Sequence, residues 1–200
     1  MRFWQDDGIV VVAMKGSTMA GPKLMTVDDY FATPETVRPA ELAFGVLRVA
    51  DSPTPRHQSM VAQLFRALDT HVRSRQLGQI WLAPLDVVLD ASKALVVQPD
   101  LLFISNERES IVQDRVRGAP DLVIDVLSPN PRIGRTEDHL RWFAEYGVRE
   151  CWLVHQDQRQ ITVITFTDAR IGSRRVARAN QPIASVVLPG LSLTLEQILE

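Results

Sequence analysis

The sequence of 200 residues has one cysteine, Cys151, and no long apolar run. A single cysteine excludes a disulfide within the chain and a cysteine-rich zinc site, and it fits a reducing compartment. The most apolar early stretch, residues 9–14, is far shorter than the ~20 residues that a membrane-crossing helix needs. It also lacks the pattern of a secretory signal. We therefore expect a soluble, cytoplasmic protein with no membrane partner.

The chain also lacks a strong excess of either charge, with a formal net charge of −2 at pH 7. Proteins that coat polyanions usually carry a large basic excess, so any contact with nucleic acid should be local. The fractions of hydrophobic residues, 46%, and charged residues, 23%, are those of an ordinary globular protein. One hydrophobic core can organise a chain of this length. We predict one domain over residues 25–200, preceded by a poorly defined N-terminal extension over residues 1–24.

Caps and helical periodicity predict three main helices. Thr26 is suited to cap a short helix near the start of the domain. A longer amphipathic helix is predicted to begin near His57 and to be closed by Gly78. A third covers residues 136–146 and ends at Gly147, where a left-handed residue commonly stops a helix.

Apolar runs predict strands over residues 41–50, 80–89, 96–105 and 121–127, followed by a hairpin of residues 150–154 and 160–166. Pro99 lies inside the third run and cannot donate a hydrogen bond to a neighbouring strand. That strand must therefore be bulged, at an edge or bent at Pro99. Strands mixed with helices in this order predict an α/β fold. The apolar hairpin is also a candidate surface for a homodimer.

Two carboxylates, Asp100 and Asp125, are placed on neighbouring predicted strands. Alternation puts Val123, Asp125 and Leu127 on one face, so Asp125 interrupts an otherwise apolar face. Burying that charge is costly unless it is paired or binds a metal. A hard cation such as Mg²⁺, or Mn²⁺ in its place, would relieve the repulsion between the two carboxylates. The alternative is a buried Asp125 that an arginine or backbone amides satisfy.

Seven short motifs occur in an order that resembles a known family. They are MTVDDY (25–30), SPTPRHQ (52–58), APLDVVL (83–89), VVQPDLLFIS (96–105), GAPDLVIDVLSP (118–129), FAEYGVRECWLV (143–154) and VLPGLSL (187–193). Together they resemble the bacterial Uma-type family of restriction endonuclease-like proteins, a branch of the PD-(D/E)XK nuclease superfamily. The resemblance covers about residues 25 to 199. It implies a restriction-endonuclease-like core, a mixed central sheet flanked by helices, and metal-dependent cleavage of phosphodiesters.

The resemblance also implies a set of site residues. Asp100 matches the aspartate of the PD element, Asp125 the second acidic position, and Glu41 an acidic residue of the first core strand, and such residues bind Mg²⁺ in this superfamily. His57 matches a histidine of the family. With Arg56 and the helix N-terminus beside it, His57 could contact a phosphate of the substrate.

The lysine of the superfamily motif is missing, because its position two residues after Asp125 is Leu127. Relatives carry a lysine on the following helix instead, and that position here is His139. Histidine could act as a base or, when protonated, as a cation, so its contribution would depend on pH. Arg135 is an electrostatic stand-in that could contact the substrate. A histidine at the surface or in the core is the alternative reading of His139.

These observations predict an endonuclease that uses Mg²⁺ to hydrolyse nucleic acid, with DNA as the expected substrate. Asp100, Asp125 and Glu41 would hold the metal, and His139 would take the place of the lysine. The alternative is a degenerate protein of the same fold that binds nucleic acid or a protein partner without cleaving it.

Overall fold

A computed structural model describes residues 24–34, 38–127 and 136–200. The predicted N-terminal extension lies outside these residues except for Leu24. None of the helices in the described ranges combines the length and the apolar character needed to cross a membrane. The four α-helices of these ranges are α1 (Val27–Phe31), α2 (Pro55–Ser74), α3 (Thr136–Tyr146) and α4 (Leu195–Leu199).

The helix ends follow local chemistry. Thr26 caps α1 in a capping box, because its side chain accepts from the Asp29 N–H while the Asp29 carboxylate accepts from the Thr26 N–H. Thr54 caps α2, and Pro55 occupies its first position, where a missing N–H is tolerated. Gly147 follows α3 with φ of 91°, so the predicted end of that helix is confirmed.

The described strands form two mixed sheets. They are β1 (Ala40–Ala43), β2 (Val46–Val49), β3 (Gly78–Leu82), β4 (Val87–Asp90), β5 (Leu95–Val97), β6 (Leu101–Ser105), β7 (Val116–Arg117), β8 (Leu122–Leu127), β9 (Glu150–His155), β10 (Gln160–Thr167) and β11 (Arg170–Arg178). The larger sheet has the order β11-β10-β9-β8-β6-β3 and the smaller one β2-β1-β5-β4-β7. Strands β8 and β9 are parallel, and α3 lies between them in the chain. The prediction of an α/β fold with mixed β-structure and flanking helices is confirmed, although the β-structure is divided into two sheets.

Three of the predicted strands are each two strands. Residues 41–50 form the β1–β2 hairpin, because Phe44 and Gly45 take φ of 50° and 84° and reverse the chain. Residues 80–89 contribute to β3 of the larger sheet and β4 of the smaller one. Residues 96–105 are divided at Pro99 between β5 and β6, also in different sheets, which confirms the predicted bend.

Gly78 does not close α2, contrary to the prediction. The helix ends at Ser74, and Gln76 takes the left-handed conformation with φ of 53°. Gly78 instead begins β3, where a Cβ would lie 2.1 Å from the carbonyl oxygen of Ile104 on the neighbouring strand. Close approach of two backbones therefore requires the glycine at this position.

The hairpin of β9 and β10 is confirmed, and it belongs to the larger sheet. Strand β9 is buried on both faces, and β11 pairs with the free edge of β10 over its whole length. Strand β11 was not predicted, because its arginines give it a sequence pattern that is typical of a polar, exposed segment. Formation of a homodimer, and the use of this hairpin as its surface, stay predictions.

The core has three layers of buried side chains. The first packs α2 and α4 against one face of the larger sheet. The second lies between the opposite face of that sheet, the smaller sheet and α3. The third joins the smaller sheet to α1. Residues of the second layer surround the place where the two sheets and α3 approach one another.

Candidate functional site

Asp100 and Asp125 are brought together by the pairing of β6 with β8. Asp100 directly precedes β6, and the register pairs Leu101 with Ile124. The Oδ2 atom of Asp100 accepts a hydrogen bond of 2.7 Å from the backbone N–H of Val126. The bend at Pro99 places Asp100 at the start of the new strand, opposite the end of β8. The predicted proximity of the two carboxylates is therefore present in the structure.

Asp125 is half-buried in an environment that disfavours its charge. It shares a strand face with Val123, which belongs to the core layer between the sheets, as alternation predicts. Burial, followed by the negative charge of Asp100, raises the pKa of Asp125 to about 7. The nearby His139 and a hydrogen bond with the Asp100 backbone act in the opposite direction but do not cancel the shift. Asp125 is therefore a carboxylate without sufficient compensation from the protein.

Asp121 lies on the same segment, and neighbouring groups balance the negative charge of its side chain. Its side chain is 1% exposed, and it accepts a 2.8 Å hydrogen bond from the backbone N–H of Ser105. Arg149 and Arg108 lie 3.2 Å and 3.5 Å from its Oδ1 atom. The reading of a buried aspartate satisfied by arginine and amide groups thus describes Asp121. No arginine forms such a pair with Asp125 within the described parts of the chain.

Glu41 and His139 form a second pair beside the two aspartates. Glu41 is 4% exposed on β1, and its Oε2 lies 3.0 Å from Nε2 of His139 in the first turn of α3. Burial lowers the pKa of His139, but Glu41 and then Asp125 outweigh burial, so the pKa is raised on balance. His139 thus points toward the carboxylates and not into solvent. The prediction that Glu41, Asp100, Asp125 and His139 are near one another agrees with this geometry.

Arg48 belongs to the same cluster and was not predicted. It is directly opposite Glu41 in the β1–β2 register, with its Nη1 3.3 Å from Oε1 of Glu41. Its guanidinium also lies over the Trp142 ring, 5.6 Å from the ring centre. The Phe44-Gly45 turn was the signal that could have found it, because a two-residue turn places Arg48 opposite Glu41.

His57 approaches the site from the first turn of α2. It is buried, and its Nε2 lies 3.1 Å from Oδ2 of Asp100. A hydrogen bond with Asp100 raises the pKa of His57, whereas burial lowers it by a smaller amount. Asp100 is thus flanked by the His57 imidazole and the backbone amide of Val126.

The two predicted arginines have different outcomes. Arg56 is exposed, and its guanidinium pairs with Asp157 at 2.7 Å and with the backbone oxygen of Gln156 at 3.0 Å. It is therefore held at the β9–β10 turn in this structure, and its contact with substrate stays a prediction. Arg135 lies outside the described residues. Arg141, on α3, pairs with Asp138 at the surface.

Two other polar groups near these motifs have structural partners. Asp86 accepts hydrogen bonds from Tyr30 at 2.9 Å and from Gln98 at 2.8 Å. Gln98 therefore belongs to a network that ties α1 to the smaller sheet. Cys151 is completely buried, and burial raises the pKa of its thiol well above the usual value, as expected of a core residue.

The oxygen donors of Asp100 and Asp125 fit a hard divalent cation. Within the described ranges, no three His, Cys, Asp or Glu side chains are grouped so as to hold a metal by themselves. Mg²⁺, however, is usually bound through one or two carboxylates, with water and phosphate oxygens completing its shell. The pKa of Asp125 is raised first by burial and then by the charge of Asp100, and a cation bound to the carboxylate would oppose both effects. Both oxygens of Glu41 already face cationic partners, so Glu41 would have to release one to become a third ligand.

Comparison with known proteins identifies one family and one fold. The model of the Uma2 family, described as "Putative restriction endonuclease", matches residues 27–196. The chain is similar to the crystal structure of a putative nuclease belonging to DUF820 from Anabaena variabilis ATCC 29413, with a TM-score of 0.72 and 16% identity. That similarity covers 88% of this chain and 97% of the other, and it shows a shared fold. No curated protein matches the chain.

Proposed function

Because this chain belongs to the Uma2 family, we propose that it is a Mg²⁺-dependent endonuclease that hydrolyses phosphodiester bonds of DNA. The observation that carries the proposal is the arrangement of Asp100 and Asp125 on paired strands, with the pKa of Asp125 raised to about 7. Strongly shifted carboxylates in a cluster of charged groups are typical of functional sites. Structural carboxylates such as Asp121 are, in contrast, fully paired.

Asp100 and Asp125 are the residues that would hold the metal. A bound Mg²⁺ would lower the pKa of a water molecule and stabilise charge on a phosphodiester oxygen. Mn²⁺, which also takes oxygen ligands, would be an alternative cofactor. The Val126 N–H and His57 orient Asp100 through contacts of 2.7 Å and 3.1 Å. These contacts limit the positions that the carboxylate can adopt before the metal binds.

His139 and Glu41 would act as a unit next to the metal. A carboxylate that faces an imidazole stabilises the imidazolium, and the distance of 3.0 Å between them supports such a pairing. In its neutral form His139 could accept a proton from the attacking water, and in its charged form it could offset negative charge on the phosphate. Glu41 fixes the position of the ring in either case.

A second candidate function is binding of nucleic acid without cleavage. It is favoured by one specific observation: in the cluster of Asp100, Asp125, Glu41 and His139, the lysine of the superfamily is replaced by a histidine that Glu41 already engages. In that case the protein would retain the fold and the affinity for a phosphate backbone. A protein partner could occupy the same face.

The direct test is cleavage of single- and double-stranded DNA and RNA by the purified protein with Mg²⁺ or Mn²⁺. Asp100→Ala and Asp125→Ala should each abolish cleavage, whereas Asp114→Ala, at an exposed position, should leave it unchanged. Cleavage that survives both site substitutions would reveal a contaminating nuclease. If the unchanged protein binds DNA but does not cut it, the binding function takes the place of the nuclease.

A further inference from the structure

The site contains three carboxylates, and among the described residues no lysine lies beside them. A phosphodiester brought to this cluster would meet the negative charges of Glu41, Asp100 and Asp125. One metal ion offsets part of that charge. The charge of an arginine side chain does not depend on pH in the physiological range. Arg48 is the arginine that the hairpin places in this cluster.

The position of Arg48 is fixed by its surroundings. Its strand, β2, pairs with β1 through four pairs of opposite residues, from Ala40–Val49 to Ala43–Val46. The Trp142 ring supports the guanidinium from one side, and Glu41 holds Nη1 at 3.3 Å. The charge of Arg48 also lowers the pKa of His139, which places it within electrostatic reach of the histidine. Arg48 is therefore preorganised beside the group that replaces the lysine.

Arg48 also retains unused hydrogen-bonding capacity. Its Nε atom is buried and has no hydrogen-bond partner among the described residues. The side chain as a whole is 21% exposed, although Nε itself is not. A buried donor without a partner is unfavourable, so a shift of the guanidinium that brings Nε to a phosphate oxygen would gain a hydrogen bond. Arginine presents its donors as a planar fork that matches two oxygens of a phosphate.

We propose that Arg48 binds a phosphate of the nucleic-acid backbone at this site and supplies the permanent positive charge that lysine supplies in similar proteins. The proposal rests on the proposed function, because it concerns the substrate of the same site. Arg48 would not transfer protons, since its guanidinium remains charged. Its part would be to hold the phosphate near Asp100 and Asp125 and to stabilise its negative charge.

The simpler role for Arg48 is to neutralise the buried Glu41. The two roles are separated by comparing a single variant, Glu41→Gln, with the double variant Glu41→Gln/Arg48→Met. In the single variant, position 41 no longer has a carboxylate for Arg48 to neutralise. If Arg48 only neutralises Glu41, the two proteins should bind DNA equally. If Arg48 binds phosphate, the double variant should bind more weakly by about tenfold or more, which is the effect of a charge-assisted hydrogen bond.

The measurement is fluorescence anisotropy of a labelled DNA duplex with Ca²⁺ present, on proteins whose folding has been verified by circular dichroism. Arg48→Met and Arg48→Lys are measured in the otherwise unchanged protein, with Arg66→Met, an exposed arginine of α2, as the charge-matched control. Arg48→Met should lose about tenfold in affinity, Arg48→Lys should lose less, and Arg66→Met should remain within about twofold of the unchanged protein.

Cleavage of the same duplex with Mg²⁺ distinguishes failure of the two proposals. If the unchanged protein cleaves DNA and Arg48→Met binds and cleaves as Arg66→Met does, the role of Arg48 is wrong and the nuclease stands. If the unchanged protein binds without cleaving and Arg48→Met loses affinity, the nuclease is wrong and the phosphate contact stands. Failure of the unchanged protein to bind or cleave overturns both.

Discussion

Nε2 of His139 lies 3.0 Å from Oε2 of Glu41, on the helix position where the resemblance led us to expect a lysine. The contact raises the pKa of His139 above its usual value, so the ring keeps its proton to a higher pH than a free histidine does. A histidine in this position can therefore carry the positive charge of a lysine only in the part of the pH range where its ring is protonated. The consequence is measurable as a dependence of activity on the side chain at position 139.

His139→Lys should increase Mg²⁺-dependent cleavage at about pH 8, on the order of tenfold, because the lysine ammonium stays charged there. The gain should shrink at about pH 6, where His139 is itself protonated. Initial rates on a DNA duplex measure the effect, with His71→Lys on the distal part of α2 as the control. A variant that is no faster than the unchanged protein at either pH would show that the histidine does not simply replace lysine.

Asp125→Asn should raise the melting temperature of the metal-free protein at about pH 8. The folded protein raises the pKa of Asp125 from its model value of 3.8 to about 7, so folding favours the protonated form. The stability associated with this group is fully present below pH of about 4 and is lost as the pH rises through about 7. Asparagine cannot ionise and avoids that loss. The variant should therefore gain at about pH 8 and differ little at about pH 4, as thermal unfolding in EDTA would measure. A lower melting temperature for the variant at about pH 8 would contradict this prediction.

Much of the candidate site could be predicted because its two aspartates depend on local signals. Pro99 interrupts an apolar run beside Asp100, and Asp125 breaks the alternation of β8. Adjacent strands then bring the two together. The end of α3 was likewise predictable, since Gly147 has the conformation that stops a helix.

The rest of the site depends on pairings that local sequence does not specify. Residues 41–50 form one apolar run in the sequence, so they were predicted as a single strand. The turn at Phe44-Gly45, which places Arg48 opposite Glu41, was therefore not predicted. The division of the predicted strands between two sheets depends on tertiary packing. All four halves contribute to the layer between the sheets, but β3 and β6 also pack against α2 and α4, whereas β4 and β5 also pack against α1. The arginines of β11 gave a polar pattern to a strand that pairs along one edge only.

Saturating Mg²⁺ should raise the melting temperature of the unchanged protein by about 5–10 °C at a concentration near a hundred times its dissociation constant. Binding to the folded state alone produces this shift, and it requires no cleavage. Asp100→Ala and Asp125→Ala should show no shift, whereas Asp114→Ala should respond as the unchanged protein does. Equal shifts in all four proteins would place the cation elsewhere on the molecule.

Asp121→Asn should destabilise the protein, in contrast to Asp125→Asn four positions later. Asp121 is 1% exposed and accepts from the Ser105 N–H, with Arg149 3.2 Å from its Oδ1. Arg149 and Arg108 are both partly exposed and can be hydrated, so the loss is mainly that of the charge-assisted hydrogen bonds to the buried carboxylate, about 1.5–3 kcal/mol. Urea unfolding in EDTA at about pH 8 measures both variants under identical conditions. The free energy of unfolding should fall for Asp121→Asn and rise for Asp125→Asn; changes of the same sign would mean that the two carboxylates do not divide into a structural and a functional one.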